Sequence, residues 1–127
     1  MNQAIIGLGS NIRPHENIRE ARDIVGKRFK ILAESRLRRT KPIGPLGQPD
    51  FTNGTLLIET ELNADQLKAD LKAIETQLGR ETSIDPFKPR TIDLDIVVWN
   101  GAVTDKDFYS RDYLKQSVLE LVPELKY

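Results

Sequence analysis

"KPRTIDLDIVVWNG", residues 88–101, passes from a polar loop into what reads as a buried strand, and that strand carries two aspartates. If the strand runs from Ile92 to Trp99, alternation sends Leu94, Ile96 and Val98 to one face and Asp93, Asp95 and Val97 to the other. The apolar set would pack beneath helices, and the aspartates would point into an open face. Same-face neighbours on a strand lie about 6.5 Å apart, so the two carboxylates converge and repel unless a cation or a proton lies between them. Magnesium suits such a pair, because it takes oxygen ligands and binds through one or two carboxylates plus substrate phosphates. A lone Asp-x-Asp is more often a solvent-facing pair, here with Arg90 as a partner. The flanking Lys88 and Arg90, and Arg80 further upstream, shift that balance. Carboxylates that hold a metal beside guanidinium groups that hold phosphate oxygens are what phosphoryl-type transfer requires.

Working outward, Gln3 to Gly9 is an apolar run ended by glycine and Ser10-Asn11, read as a central strand and a turn, the glycines serving the turn. Pro14 suits the first turn of a helix with Ile18, Ala21 and Val25 on one face. Phe29 to Thr40 alternates as a half-exposed strand, and "KPIGPLGQPD" must be a loop. Thr52 to Glu61 reads as a third strand. Asn63 and Gln66 form an amide capping box for a helix carrying Leu67, Leu71, Ile74 and Leu78, which Gly79 ends. Residues 80–91 form a second polar loop before the fourth strand. The order βαββαβ predicts an α+β, ferredoxin-like sandwich: a four-stranded antiparallel sheet, two helices on one face, the other face free for ligands. Arg111 to Val122 adds a short helix or an extended tail.

Composition narrows the chemistry. The 127 residues fit one domain, 1–127, and 19 Lys plus Arg balance 19 Asp plus Glu. The basic cluster of Lys27, Arg28, Lys30, Arg36, Arg38, Arg39 and Lys41 reads mostly as a solvated strand face. Without cysteine there is no disulfide, thiolate metal site or cysteine nucleophile, and a cytoplasmic location is the expectation. The apolar run Ala4 to Leu8 is too short for a signal-peptide core or a membrane span. No G-x-x-x-x-G-K-[ST] phosphate loop occurs, "GLGSNI" lacks the third glycine of a dinucleotide fold, and His15 reads as a surface residue. Phe51 and Asn53 share a face and could stack and read a flat heterocycle; taken singly, each is more simply a core aromatic and a turn residue.

"GLGSN", "RTKPIGPLGQPDFTN", "ETQLGR" (Glu75 to Arg80) and above all "PRTIDLDI" resemble, in order and spacing, the 6-hydroxymethyl-7,8-dihydropterin pyrophosphokinase family of folate biosynthesis. The resemblance spans roughly residues 3–101 and resumes at "LELVPEL". It implies transfer of the β,γ-pyrophosphoryl group of ATP to the pterin hydroxymethyl oxygen, with release of AMP. Carried over by position, Asp93 and Asp95 would bind two magnesium ions. Glu75, Arg80, Arg90 and Ile96 would line the ATP side, with Arg80 and Arg90 stabilising charge during transfer. Thr40, Ile43, Phe51 and Asn53 would hold the pterin, with Phe87 where the family usually has tryptophan. The partners implied are ATP and a reduced pterin, without nucleic acid or membrane, for a monomeric enzyme.

The chain departs from the family pattern after the fourth strand. No histidine exists beyond residue 15, and "VTDKDFYSRDYLKQ" replaces a longer segment. A gap placed before Ser110 puts Arg111 where the family has a phosphate-binding arginine and Tyr113 where a phenylalanine stacks on the pterin. Pro86 replaces a family arginine, Lys41 stands in a usual proline position, and the sequence stops short of the family's usual C-terminal region. These differences leave two other readings: a catalytically weak relative that binds nucleotide or pterin, and an RNA-binding module built on the same sheet. The last lacks stacking aromatics on the first strand.

Overall fold

The computed structural model describes residues 1–42, 47–79 and 92–127. In chain order it has β1 (Asn2–Ser10), α1 (Pro14–Arg28), β2 (Lys30–Glu34), β3 (Arg38–Thr40), β4 (Phe51–Thr60) and α2 (Ala64–Gln77). These are followed by β5 (Asp93–Trp99), β6 (Ala102–Val103), α3 (Asp107–Ser110) and α4 (Asp112–Leu121). The strands form one antiparallel sheet in the order β2-β4-β1-β5-β6, with β3 also paired to β4. Among the described residues six strands therefore stand where four were expected.

The two extra strands have identifiable causes. The expected strand from Phe29 to Thr40 is broken at residues 35–37, where Ser35 uses its backbone N–H and its hydroxyl to bridge to Thr55. Its two halves, β2 and β3, pair with successive stretches of β4. Strand β6 is the return arm of a tight hairpin at Asn100-Gly101, both with positive φ (47° and 82°), as the primed turn of a two-residue hairpin requires.

Helix α1 begins with Pro14 at its first position, and α2 carries the Asn63–Gln66 capping box in both directions, at 2.8 and 2.9 Å. Both helices cover the same side of the sheet, where Ala4, Ile6 and Leu8 of β1, Leu56 and Ile58 of β4 and Leu94 of β5 meet Ile18, Ala21, Val25, Leu67, Leu71 and Ile74. The opposite side is not wholly free. There α3 and α4 cover Ile5, Val97 and Val98 with Phe108 and Val118.

Val98 thus belongs to the second cluster and not, as alternation predicted, beneath α1 and α2. The β1–β5 register slips at this point: Ile6 pairs with Ile96 and Ile5 with Val98, leaving Val97 as an extra residue. A bulge of one residue reverses alternation beyond it, so Trp99 packs against the first core in place of Val98. The glycines of "GLGSNI" also lie elsewhere than expected. Gly7 and Gly9 are inside β1, which continues to Ser10, and are not turn residues. Residues 111–122 contain a true helix, α4, with Ser117 and Val118 buried.

Among the described residues no helix is long and apolar enough to cross a membrane.

Candidate active site

Antiparallel pairing puts directly opposed residues on the same face of a sheet, and here the register draws two rows. One runs Arg38, Asn53, Gly9, Asp93 across β3, β4, β1 and β5; the next runs Thr55, Gly7, Asp95. Thr40 opposes Phe51 one step further out. The rows lie on the face away from α1 and α2, at the end that α4 leaves uncovered. Apart from Thr55, which Ser117 of α4 covers, they form the floor of a cavity of about 260 Å³, walled by Thr40, Phe51, Asp105, Asp107, Arg111 and Tyr113.

Glycine in β1 gives this floor its depth. A Cβ on Gly9 would stand 2.8 Å from Asn53 Oδ1, so only glycine lets the amide lie over the central strand. Asn53 is held there by donating Nδ2–H to Thr40 Oγ1 at 2.6 Å. Its oxygen is left to face the cavity floor as an acceptor.

The acidic end is polarised. Asp93 and Asp95 both line the cavity, and Asp105 and Asp107 add two further carboxylates to its lining. The Asp95 side chain is 54% exposed, yet the surrounding walls strip enough water to push its carboxyl above the ordinary carboxylate range. Lys72 pulls in the opposite direction, while Asp93 and Asp105 add to the upward push. The Lys72 ammonium lies 3.4 Å from Asp95 Oδ1 and 3.3 Å from Glu75 Oε1, a cation already drawn to this end of β5.

Of the residues singled out from the sequence, Thr40, Phe51, Asn53, Asp93, Asp95, Arg111 and Tyr113 line this one cavity. Arg111 sits at the start of α4, its NH1 3.4 Å from the Tyr113 hydroxyl and its Nε 3.7 Å from Asp107. Glu75 and Ile96 lie on the helix side of the sheet instead. Glu75 is 3% exposed and accepts the Leu94 backbone N–H at 2.7 Å, tying α2 to the start of β5 directly behind the aspartates. Ile96 packs against the first core. Ile43, Arg80, Phe87 and Arg90 lie outside the described residues.

Sequence reasoning missed Lys72 and Arg38. Lys72 is three residues before Glu75, the helical spacing of an ion pair, which was a readable signal. Arg38 was grouped with a solvated basic face. In the fold its side chain is only 17% exposed and lines the cavity, because β3 turns alternate residues toward the site.

The fold and site can be set beside known proteins. The family model of 7,8-dihydro-6-hydroxymethylpterin-pyrophosphokinase (HPPK) matches residues 5–123. A 2-amino-4-hydroxy-6-hydroxymethyldihydropteridine pyrophosphokinase of Pseudomonas aeruginosa is 30% identical over 137 residues, covering 99% of this chain and 84% of its own length. The protein of the same name from Haemophilus influenzae is 29% identical, with 98% and 84% covered. That of Campylobacter jejuni is 39% identical over 107 residues, 79% of this chain and 65% of the relative.

Proposed function

The chain belongs to the 7,8-dihydro-6-hydroxymethylpterin-pyrophosphokinase family, and we infer that it catalyses the family reaction. It is a 2-amino-4-hydroxy-6-hydroxymethyldihydropteridine pyrophosphokinase, which places a pyrophosphoryl group on the hydroxymethyl oxygen of a reduced pterin in folate synthesis. The observation that carries this reading is the strand register. It sets an aromatic ring, an amide over a glycine floor and two carboxylates in sequence across one open face.

We propose ATP as the donor. The hydroxymethyl oxygen attacks the β-phosphorus, the bond from that phosphorus to the α,β-bridging oxygen breaks, AMP departs, and the hydroxyl proton passes to solvent. Phe51 offers a ring for stacking the pterin, and Asn53 and Thr40 read its polar edge. Tyr113 lines the same cavity and offers a second ring. Arg111, beside Tyr113, is one of the described cations that line the cavity and is proposed to meet phosphate oxygens, with Arg80 and Arg90 sharing that charge.

Asp93 and Asp95 suit magnesium on the chemistry of their donors. Both are hard oxygen ligands, and the described residues hold no group of three or more acidic, histidine or cysteine side chains that could cage a metal alone. That matches an ion held by one or two carboxylates with substrate phosphates completing its shell. Asp93 and Asp95 would hold the proposed two magnesium ions, which would supply neutralisation of the triphosphate charge and polarisation of the attacking hydroxyl. Glu75 contributes from behind, by fixing Leu94 and so the aim of its two neighbours.

The strand order of β2 with β3, then β4, β1 and β5, supports a ferredoxin-like core to which β6, α3 and α4 are additions. We read the chain as a single-domain, monomeric enzyme of the cytoplasm.

Incubation with ATP, magnesium and 6-hydroxymethyl-7,8-dihydropterin should yield AMP and the pterin diphosphate in equal amounts. AMP at background level from a folded sample would remove the assignment and leave the binding-only relative. ADP as product would show transfer of the wrong group.

A further inference from the structure

Arg38 stands next to Asn53 in the row that crosses the cavity floor, and its guanidinium is shared between two surroundings. On one side NH2 donates to Glu120 Oε1 of α4 at 2.8 Å. Glu120 is itself fixed, since its other oxygen accepts the Arg36 backbone N–H at 2.8 Å. On the other side, NH1 is buried and has no hydrogen-bond partner among the described residues. An unpaired buried guanidinium N–H is costly, so it marks a place where an acceptor is missing. The side chain cannot leave easily, because Glu120 holds it and α4 is pinned above it. Ser117 links α4 to Thr55 and Ser35 through hydroxyl contacts of 2.8 and 2.9 Å.

We propose that Arg38 is a specificity-determining residue for the pterin, donating NH1–H to the ring's 4-oxo oxygen; the assignment rests on the pterin site proposed above. Asn53 gives one of its two Nδ2 hydrogens to Thr40, and its oxygen is left as an acceptor, which suits a ring N–H donor. A pterin carries its oxo acceptor beside such an N–H on the same edge, and Arg38 is the next residue along the row. In this proposal the guanidinium turns about its Glu120 contact toward the cavity that Arg38 lines. Arginine suits this position better than lysine, because its fork can keep Glu120 with one nitrogen and serve the ligand with another.

The test compares two ligands on the full chain, in the presence of magnesium and a non-transferable methylene analogue of ATP. One is 6-hydroxymethylpterin; the other is 2,4-diamino-6-hydroxymethylpteridine, in which an amino group replaces the oxo acceptor. Wild type should favour the oxo ligand. Arg38→Met should lose about 10- to 100-fold in affinity for the oxo ligand and far less for the diamino ligand. Arg38→Lys, which keeps the charge beside Glu120, should also lose discrimination, and its melting temperature reports whether the fold is retained. Variants that weaken both ligands by the same factor, or that keep the wild-type preference, overturn the role of Arg38 while leaving the pterin site in place. Wild type that binds neither ligand overturns both.

Discussion

One face of the sheet does two opposite things at its two ends. Toward the carboxyl end of β1 it presents Gly7, Gly9, Asn53, Asp93 and Asp95 and stays open; toward the other end it presents Ile5, Val97 and Val98 and is sealed by Phe108 and Val118. The strands are the same, so the difference lies in the side chains. Glycine and short polar residues give an approaching helix nothing apolar to bury, whereas a run of β-branched residues does. Helix α4 serves both ends: Val118 lies over the sealed half, while Arg111, Tyr113 and Leu114 near its start line the open half. The lesson is that the binding cavity is the uncovered part of a second core.

The strongest way to break this division is Asp95→Asn. It should reduce AMP formation by at least about 100-fold, since it removes a charge from the proposed metal pair without changing volume. The sealed half should not notice. Because burial already disfavours the Asp95 charge, the variant's melting temperature at neutral pH should be equal to wild type or higher. A destabilised, inactive variant would show that Asp95 is structural.

The mirror experiment lies in the sealed half. Phe108 is fully buried and meets Tyr109 and Tyr127 edge-on with ring centroids 5.2 Å apart. Phe108→Ala should lower stability by about 3–5 kcal/mol in chemical denaturation. Turnover per folded molecule should fall much less than in Asp95→Asn. If turnover fell as far, the two halves would not be separable.

A subtler change sharpens the floor itself. Gly9→Ala puts a methyl 2.8 Å from Asn53 Oδ1 and should push the amide off Thr40. Titration should show pterin affinity reduced by about tenfold, with binding of the ATP analogue nearly unchanged. Equal losses for both ligands would mean that Gly9 serves the whole sheet and not the pterin end.

The smallest expected effect concerns how α4 is held. The Arg36 backbone N–H, and then Arg38, hold the Glu120 carboxyl below the ordinary carboxylate range. A lowered folded-state pKa means that this contact stabilises the fold above the ordinary range and fades as pH falls through the lowered value. Glu120→Gln should therefore melt slightly below wild type at pH 7, and the gap should close in acid. A gap that persists unchanged in acid would point to packing.

Much of this was legible in the sequence, for identifiable reasons. The capping box at Asn63, Pro14 at a helix start and the alternation around Asp93 and Asp95 are local signals, and each was read correctly. Val98 was misassigned because the bulge at Val97 arises from pairing with β1, and nothing within β5 announces it. The break between β2 and β3 depends likewise on Ser35 meeting Thr55, a contact made twenty residues away. Arg38 looked like one of seven basic residues on an edge, since charge alone does not say which of them α4 will cover. The cover itself could have been anticipated: Leu114, Val118 and Val122 recur at helical spacing and pack together in the second cluster.

Chemistry belongs to the open half of this face and packing to the sealed half. Amide-resolved NMR of the full chain, titrated with 6-hydroxymethylpterin in the presence of magnesium and the ATP analogue, tests it most directly. The largest shifts should fall at Gly7, Gly9, Asn53 and Asp95, with Ile5, Phe108 and Val118 nearly still. Largest shifts in the sealed half, or on the α1 and α2 side of the sheet, would contradict it.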